Sequence, residues 1–293
     1  MKTVYKYSIA LILLATAMSC SKSFLDKQPI GQIGRDGLFQ DVQGARVALN
    51  GAYNRVAYYY AREFTLYGDV ASDDVVVLQS STGGSGQQLT MFDEYNFQST
   101  RDGETSAVGH IWLNILEATN NINNIINAVP DLKDKYPKSK GELDSIMGQA
   151  LILRALCHFD LSKVYAQQYK FTADASHLGV PVLLKTPSPK ELIARKTMKE
   201  TYAQIIADLK AGVDLLNQHP FQNRFAATSQ AGMALLSRVY LCMGEWDNAL
   251  DYANKVIQQG GFSLVSGNDY ATMFLKDSVQ SEMIFKLFCR KVQ

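Results

Sequence analysis

Two neighbouring carboxylates, Asp73 and Asp74, are the first groups in the chain that suggest acid–base chemistry. Glycoside hydrolysis needs two carboxyl groups roughly 5 to 9 Å apart, facing a sugar between them. Neighbours on an extended segment point to opposite faces. The pair is therefore a poor dyad and reads better as a solvated turn, or as a contact to a cation or a hydroxyl. The four histidines, His110, His158, His177 and His219, stand in no metal-ligand spacing. His158 lies within a long apolar helical pattern, where a satisfied core role fits. No nucleophile elbow, phosphate loop or dinucleotide fingerprint occurs. We assign no catalytic residue, no metal ligand and no cofactor on these grounds.

Residues 91–101 offer a different chemistry. Phe92, Tyr95, Asn96, Phe97 and Arg101 follow a Ser-Ser-Thr-Gly-Gly-Ser-Gly run at 80–86. Aromatic faces cover the apolar C–H patches of sugars, and a few placed polar groups fix orientation. Glycine and serine clusters mark loops, and long loops in compact domains are functional or disordered. Tyr95, Asn96 and Arg101, together with Asp74, are the candidate ligand contacts. The competing reading places Tyr95 and Phe97 in the core beneath the loop. Tyr58-Tyr59-Tyr60 forms a second aromatic cluster.

The elements that must position these residues are helices. Val42, Ala45, Val47, Ala48, Ala52 and Tyr53 predict a first one. From about residue 105, Ile111, Ile115, Ile122, Ile125 and Val129 recur at helical spacing up to Pro130. A helix over about 141–168 carries apolar residues on two sides and must be packed on both. Residues 178–184 read as extended, with Pro181 keeping them at an edge or outside a sheet. Thr197-Met198-Lys199-Glu200 is a capping box that opens a further helix. Two more helices, at about 228–243 and 247–259, are joined by Gly244-Glu245-Trp246, and residues 283–288 suggest a strand.

The last helix pair carries a repeat pattern. Leu236, Ser237, Tyr240, Gly244, Trp246 and Ala249 occupy the large, small, aromatic, turn and alanine positions of a tetratricopeptide repeat. In this reading Tyr240 and Trp246 fill the space between the helices, and Ala249 lets them approach. One repeat cannot bury its own faces, so neighbouring helices must stack on it. The expected fold is mainly α, a tetratricopeptide-like array of helical hairpins with long loops and minor β.

The start of the chain reads as an export signal. Lys2 and Lys6 precede an apolar run from about residue 8 to 18, which ends in Ala17-Met18-Ser19-Cys20. That run is too short to cross a bilayer, which takes about 20 apolar residues. Ala17, Ser19 and Cys20 resemble a bacterial lipobox, with Cys20 the lipidated residue. An ordinary signal cut after Ser19 is the alternative. We expect residues 1–19 to be the signal, 20–40 a lipidated tether and 41–293 the helical domain. The net charge of +1 argues against a nucleic-acid partner. Cys157, Cys242 and Cys289 are widely spaced and read as small buried apolar residues on helices.

An ordered set of segments resembles the SusD/RagB family. Leu153-Arg154-Ala155, then Phe159-Asp160-Leu161 and Tyr165, lead into Gly179-Val180-Pro181-Val182-Leu183-Leu184. Ala234-Leu235-Leu236-Ser237-Arg238-Val239-Tyr240 with Trp246 continues the set. In front stand Cys20 with Phe24-Leu25-Asp26, Gly51-Ala52-Tyr53-Asn54 and Ser72-Asp73-Asp74. The resemblance implies a tetratricopeptide-like lipoprotein of the outer membrane, exposed at the surface. Such a protein captures glycans, or in some cases peptides, with a SusC-like TonB-dependent transporter, and is not an enzyme. Family chains are much longer, so the C-terminal part of the family fold is expected to be missing here. Two other readings stay open. One is a protein- or peptide-binding scaffold of the cell envelope; the other is an uncharacterised hydrolase.

Overall fold

Four helices start at side chains that satisfy free amides of the first turn. Asp41 accepts the Gly44 N–H at 2.8 Å, and Ser106 accepts that of Gly109 at 2.9 Å. The expected capping box is present: Thr197 Oγ1 accepts the Glu200 N–H at 3.1 Å, and Glu200 accepts the Thr197 N–H at 2.9 Å. Thr228 caps the next helix through the Ala231 N–H at 3.2 Å.

The computed structural model describes residues 34–72, 74–77, 91–99, 106–188, 190–221, 223–275 and 280–288. The expected signal segment, Cys20, Asp73, the glycine-rich run at 80–86, Arg101 and Cys289 lie outside the described residues. The chain divides into two compact units, residues 1–40 and 41–293. In the first, the short helix α1 spans Arg35–Leu38. The second holds α2 (Val42–Tyr60), α3 (Glu63–Val70), α4 (Phe92–Tyr95), α5 (Ala107–Lys135) and α6 (Lys140–Tyr165). There follow α7 (Met198–Gln218), α8 (Ser229–Met243), α9 (Trp246–Gln259) and α10 (Asn268–Met273).

Consecutive long helices pack on one another, α5 on α6, α6 on α7, α7 on α8 and α8 on α9, while α2 lies against α5 and α6. This is the expected mainly α hairpin array. Helix α6 is the axis of the core. Its buried residues run from Leu143 to Ser162 on every face, as its two-sided apolar pattern requires. It meets α7 where two glycines face each other. A Cβ added at Gly212 would lie 2.8 Å from the Gly148 carbonyl oxygen, so only glycine permits this closeness. At the α8–α9 turn Gly244 adopts φ 74°, a left-handed conformation that ends α8.

A polar latch lies inside this packing. Arg154 on α6 donates twice to Asp208 on α7, at 2.7 Å each, and once to Asn123 Oδ1 on α5 at 3.1 Å. Asn123 in turn donates to the Leu183 carbonyl at 3.0 Å, and the Leu183 N–H donates to His158 Nε2 at 3.0 Å. The extended segment at 178–184 is thereby pinned to the core. His158 is a buried hydrogen-bonded residue, as expected. Burial holds its imidazole neutral and pushes its pKa down to about 3, with the Arg154 charge acting in the same direction and the Arg154 carbonyl opposing. A second buried carboxylate, Asp160, accepts from Tyr59 at 3.0 Å and Tyr60 at 2.7 Å, tying α2 to α6. Burial raises its pKa, although Lys163 at 2.8 Å pulls the other way.

Several expectations need correction. Helix α5 does not stop at Pro130 but runs on to Lys135, because Val129 and Leu132 stay buried and continue its apolar stripe. The missing amide of Pro130 breaks one hydrogen bond without ending the helix. Residues 283–288 form no strand. Their backbone is tied to the loop before α8 through Lys286 N–H to Arg224 O at 2.8 Å. The minor β reduces, among the described residues, to one antiparallel bridge between Leu178 and Thr197. Trp246 does not fill the hairpin. It is 63% exposed, with Lys170 Nζ 5.5 Å from its ring, and Tyr240 stacked on Tyr252 at 5.7 Å takes the interior place. Cys157 is buried, and burial pushes its thiol up to about 12, whereas Cys242 is exposed.

Candidate functional site

The stretch that follows α2 turns back on itself through α3 and α4. Val70, Met91 and Ala107 form a small apolar cluster, and Tyr67, Val77 and Tyr95 pack against it. This cluster gathers the end of α3, the segment at 74–77, α4 and the start of α5. Buried Glu94 supports it by accepting the Val108 N–H at 3.4 Å. Glu63, also buried, sits 3.6 Å from His110 and 3.4 Å from Arg62.

The sequence-predicted contacts fall around this cluster in different states. Asp74 is exposed, and its N–H donates to Ser72 Oγ at 3.3 Å. Tyr95 is half-buried, with its ring on the cluster. Asn96 is exposed, and its amide donates back to the Phe92 carbonyl at 2.7 Å, closing the C-terminus of α4. Arg101 lies outside the described residues. The core reading thus fits Tyr95 in part and fails for Phe97, which is 81% exposed.

Phe97 is the residue the sequence reading undervalued. Its φ of 56° is left-handed, a conformation costing a bulky residue roughly 1–2 kcal/mol. An open aromatic face held in an unfavourable backbone conformation makes Phe97 a candidate for a functional surface. Earlier in the chain, in the segment at 74–77, Val76 is 73% exposed. At the end of α2 the Tyr58 ring is flanked by two guanidinium groups. Arg62 lies 4.8 Å from its centroid and Arg55 5.9 Å, and Arg62 also donates to the Tyr58 hydroxyl. Flat rings, an amide and guanidinium planes can recognise hydroxyl-rich or planar ligands. Among the described residues no group of three His, Cys, Asp or Glu side chains is placed to hold a metal ion.

A stacked-hairpin scaffold carrying an exposed aromatic and amide surface defines a class of helical-repeat binding proteins. Residues 32–241 match the family model of SusD-like proteins described as starch-binding and associating with the outer membrane, so the chain belongs to that family. A SusD-like protein of Formosa agariphila is 23% identical over 92% of this chain and 50% of its own length. Among solved structures, a SusD superfamily protein of Bacteroides thetaiotaomicron superposes with a TM-score of 0.72 at 27% identity, covering 85% of this chain and 53% of that one. A candidate sugar-binding protein of Bacteroides vulgatus gives 0.70 at 28% identity, covering 84% and 54%. The chain spans about half the length of these relatives.

Proposed function

We propose that the protein captures a glycan at the outer membrane and presents it to a SusC-like TonB-dependent transporter, without chemical turnover. The family match over residues 32–241, described as starch-binding, carries this reading. The exposed patch around Phe97 supports it, because a ring open to solvent is the usual platform for a sugar face. Asp74, Tyr95, Asn96 and Arg101 are the proposed contacts beside it. Lipidation at Cys20 is the proposed anchor, with an acyl chain contributing about 0.8 kcal/mol per buried CH₂. No helix among the described residues is long and apolar enough to cross a membrane.

The outer face of α9 bears Trp246, Leu250 and Ile257, which are 63%, 61% and 71% exposed and share one side of the helix. An apolar stripe of this kind fits a protein partner. It also favours the second reading, a scaffold that holds a protein or peptide. Titration calorimetry with a panel of neutral oligosaccharides tests capture. We expect binding at the patch that Phe97→Ala abolishes in a folded protein. A chain that binds none of the panel, and that recovers a soluble envelope protein but no transporter in a pull-down, refutes glycan capture and leaves the scaffold reading.

A further inference from the structure

A cleft of about 570 Å³ lies away from the Phe97 patch, between α2, α6, the loop before α8 and the tail at 283–288. Two polar ladders face it. Arg46, Asn50 and Asn54 stand one turn apart on α2, so they share a face. Glu142, Ser145 and Gln149 do the same on α6. Arg46 Nε donates to Glu142 Oε1 at 2.9 Å, so the two charges at that end neutralise each other.

The far end is held by hydrogen bonds. Tyr53 donates its hydroxyl proton to Gln149 Oε1 at 2.9 Å and accepts the Ala227 N–H at 2.7 Å. Gln149 is buried and donates back to the Ser145 carbonyl at 3.3 Å. Burial raises the Tyr53 pKa, so the phenol stays neutral. Phe225 and Phe288 meet edge to face at 6.0 Å and 89°, leaving Phe288 57% exposed. The amides of Asn50 and Asn54, by contrast, are exposed and have no side-chain partner among the described residues.

We propose that this cleft is a second saccharide site, one that takes a neutral oligosaccharide. Each unengaged amide offers a donor and an acceptor side by side, which suits neighbouring hydroxyls of a pyranose ring. The phenylalanine pair offers an apolar face to the C–H side of the same ring. The closed Arg46–Glu142 pair leaves no net charge to attract an anionic or cationic ligand. The inference rests on the reading that the protein binds glycans, and it adds a location to that reading.

The test uses the full chain and the neutral oligosaccharide that binds it best on a glycan array. Calorimetric titration gives stoichiometry and affinity for wild type, the Asn50→Ala/Asn54→Ala double variant, Phe288→Ala and Phe97→Ala, with circular dichroism as the folding control. We expect the double variant and Phe288→Ala each to weaken one class of site about tenfold or more, while Phe97→Ala acts on the other. A single site lost only through the cleft variants also upholds the cleft. Cleft variants that titrate like wild type while Phe97→Ala loses binding overturn the cleft and leave glycan capture standing. Wild type that binds no oligosaccharide overturns both.

Discussion

The latch joining α5, α6 and α7 and the patch around Phe97 are both rich in polar and aromatic groups, yet they are built in opposite ways. In the latch, Arg154, Asp208, Asn123 and His158 close on one another or on backbone groups, and all are buried. In the patch, Asn96 folds back on its own helix and Phe97 stands in solvent. The latch contains the Leu153-Arg154-Ala155 segment, one of the ordered set that resembles the family. That recognisable segment serves the scaffold. The proposed ligand contacts lie where no motif marks them.

Breaking the latch should give the largest effect. Arg154→Met leaves Asp208 buried without its main partner, and such a loss costs about 3–5 kcal/mol. We expect a chemical denaturation midpoint well below wild type, and a change under about 1 kcal/mol would show that the pair is dispensable. Next comes the α6–α7 crossing. Gly212→Ala places a methyl group 2.8 Å from the Gly148 carbonyl oxygen and from Ile152 Cγ1. Overpacking of this kind costs about 1–3 kcal/mol, readable as a lowered thermal midpoint.

The third test is pH. The folded His158 takes its proton only near pH 3, whereas the unfolded chain takes it near 6.5. The unfolded state therefore binds more protons in that window, and stability falls as pH drops from about 6.5 toward 3. The His158 contribution to the slope reaches about 1.4 kcal/mol per pH unit within that window. His158→Gln keeps an acceptor for the Leu183 N–H, so it should flatten the slope in denaturation curves taken between pH 6.5 and 5. The smallest structural effect is expected at the patch. Phe97→Ala should change stability by less than about 1 kcal/mol while removing oligosaccharide binding at the patch. If it unfolds the protein instead, the ring belongs to the scaffold and the contrast between the two regions fails.

Much of the scaffold was legible in the sequence because helices announce themselves locally. The capping box at Thr197 and Glu200, the turn at Gly244 and the two-sided apolar pattern of α6 each need only a few neighbouring residues to be read. What local spacing could not supply was the identity of the neighbour. Trp246 and Phe97 were open to a packing role because large rings are usually buried, yet no element covers them among the described residues. Residues 283–288 have strand composition but meet a loop instead of a strand edge. Pro130 looked like a stop because the burial of Leu132 beyond it depends on tertiary packing. Asn50 and Asn54 attract no attention on an exposed helix face until α6 and the tail are seen to enclose them.

The nearest-neighbour order of the array has a kinetic consequence. Among the described residues helix α9 packs chiefly on α8 and keeps an apolar side in water, while α6 packs against α2, α5 and α7. Cooperative opening should therefore begin at the α9 end and travel inward. In deuterium labelling, amides of α9 would exchange through small local excursions, whereas those at the centre of α6 would wait for the whole domain to unravel.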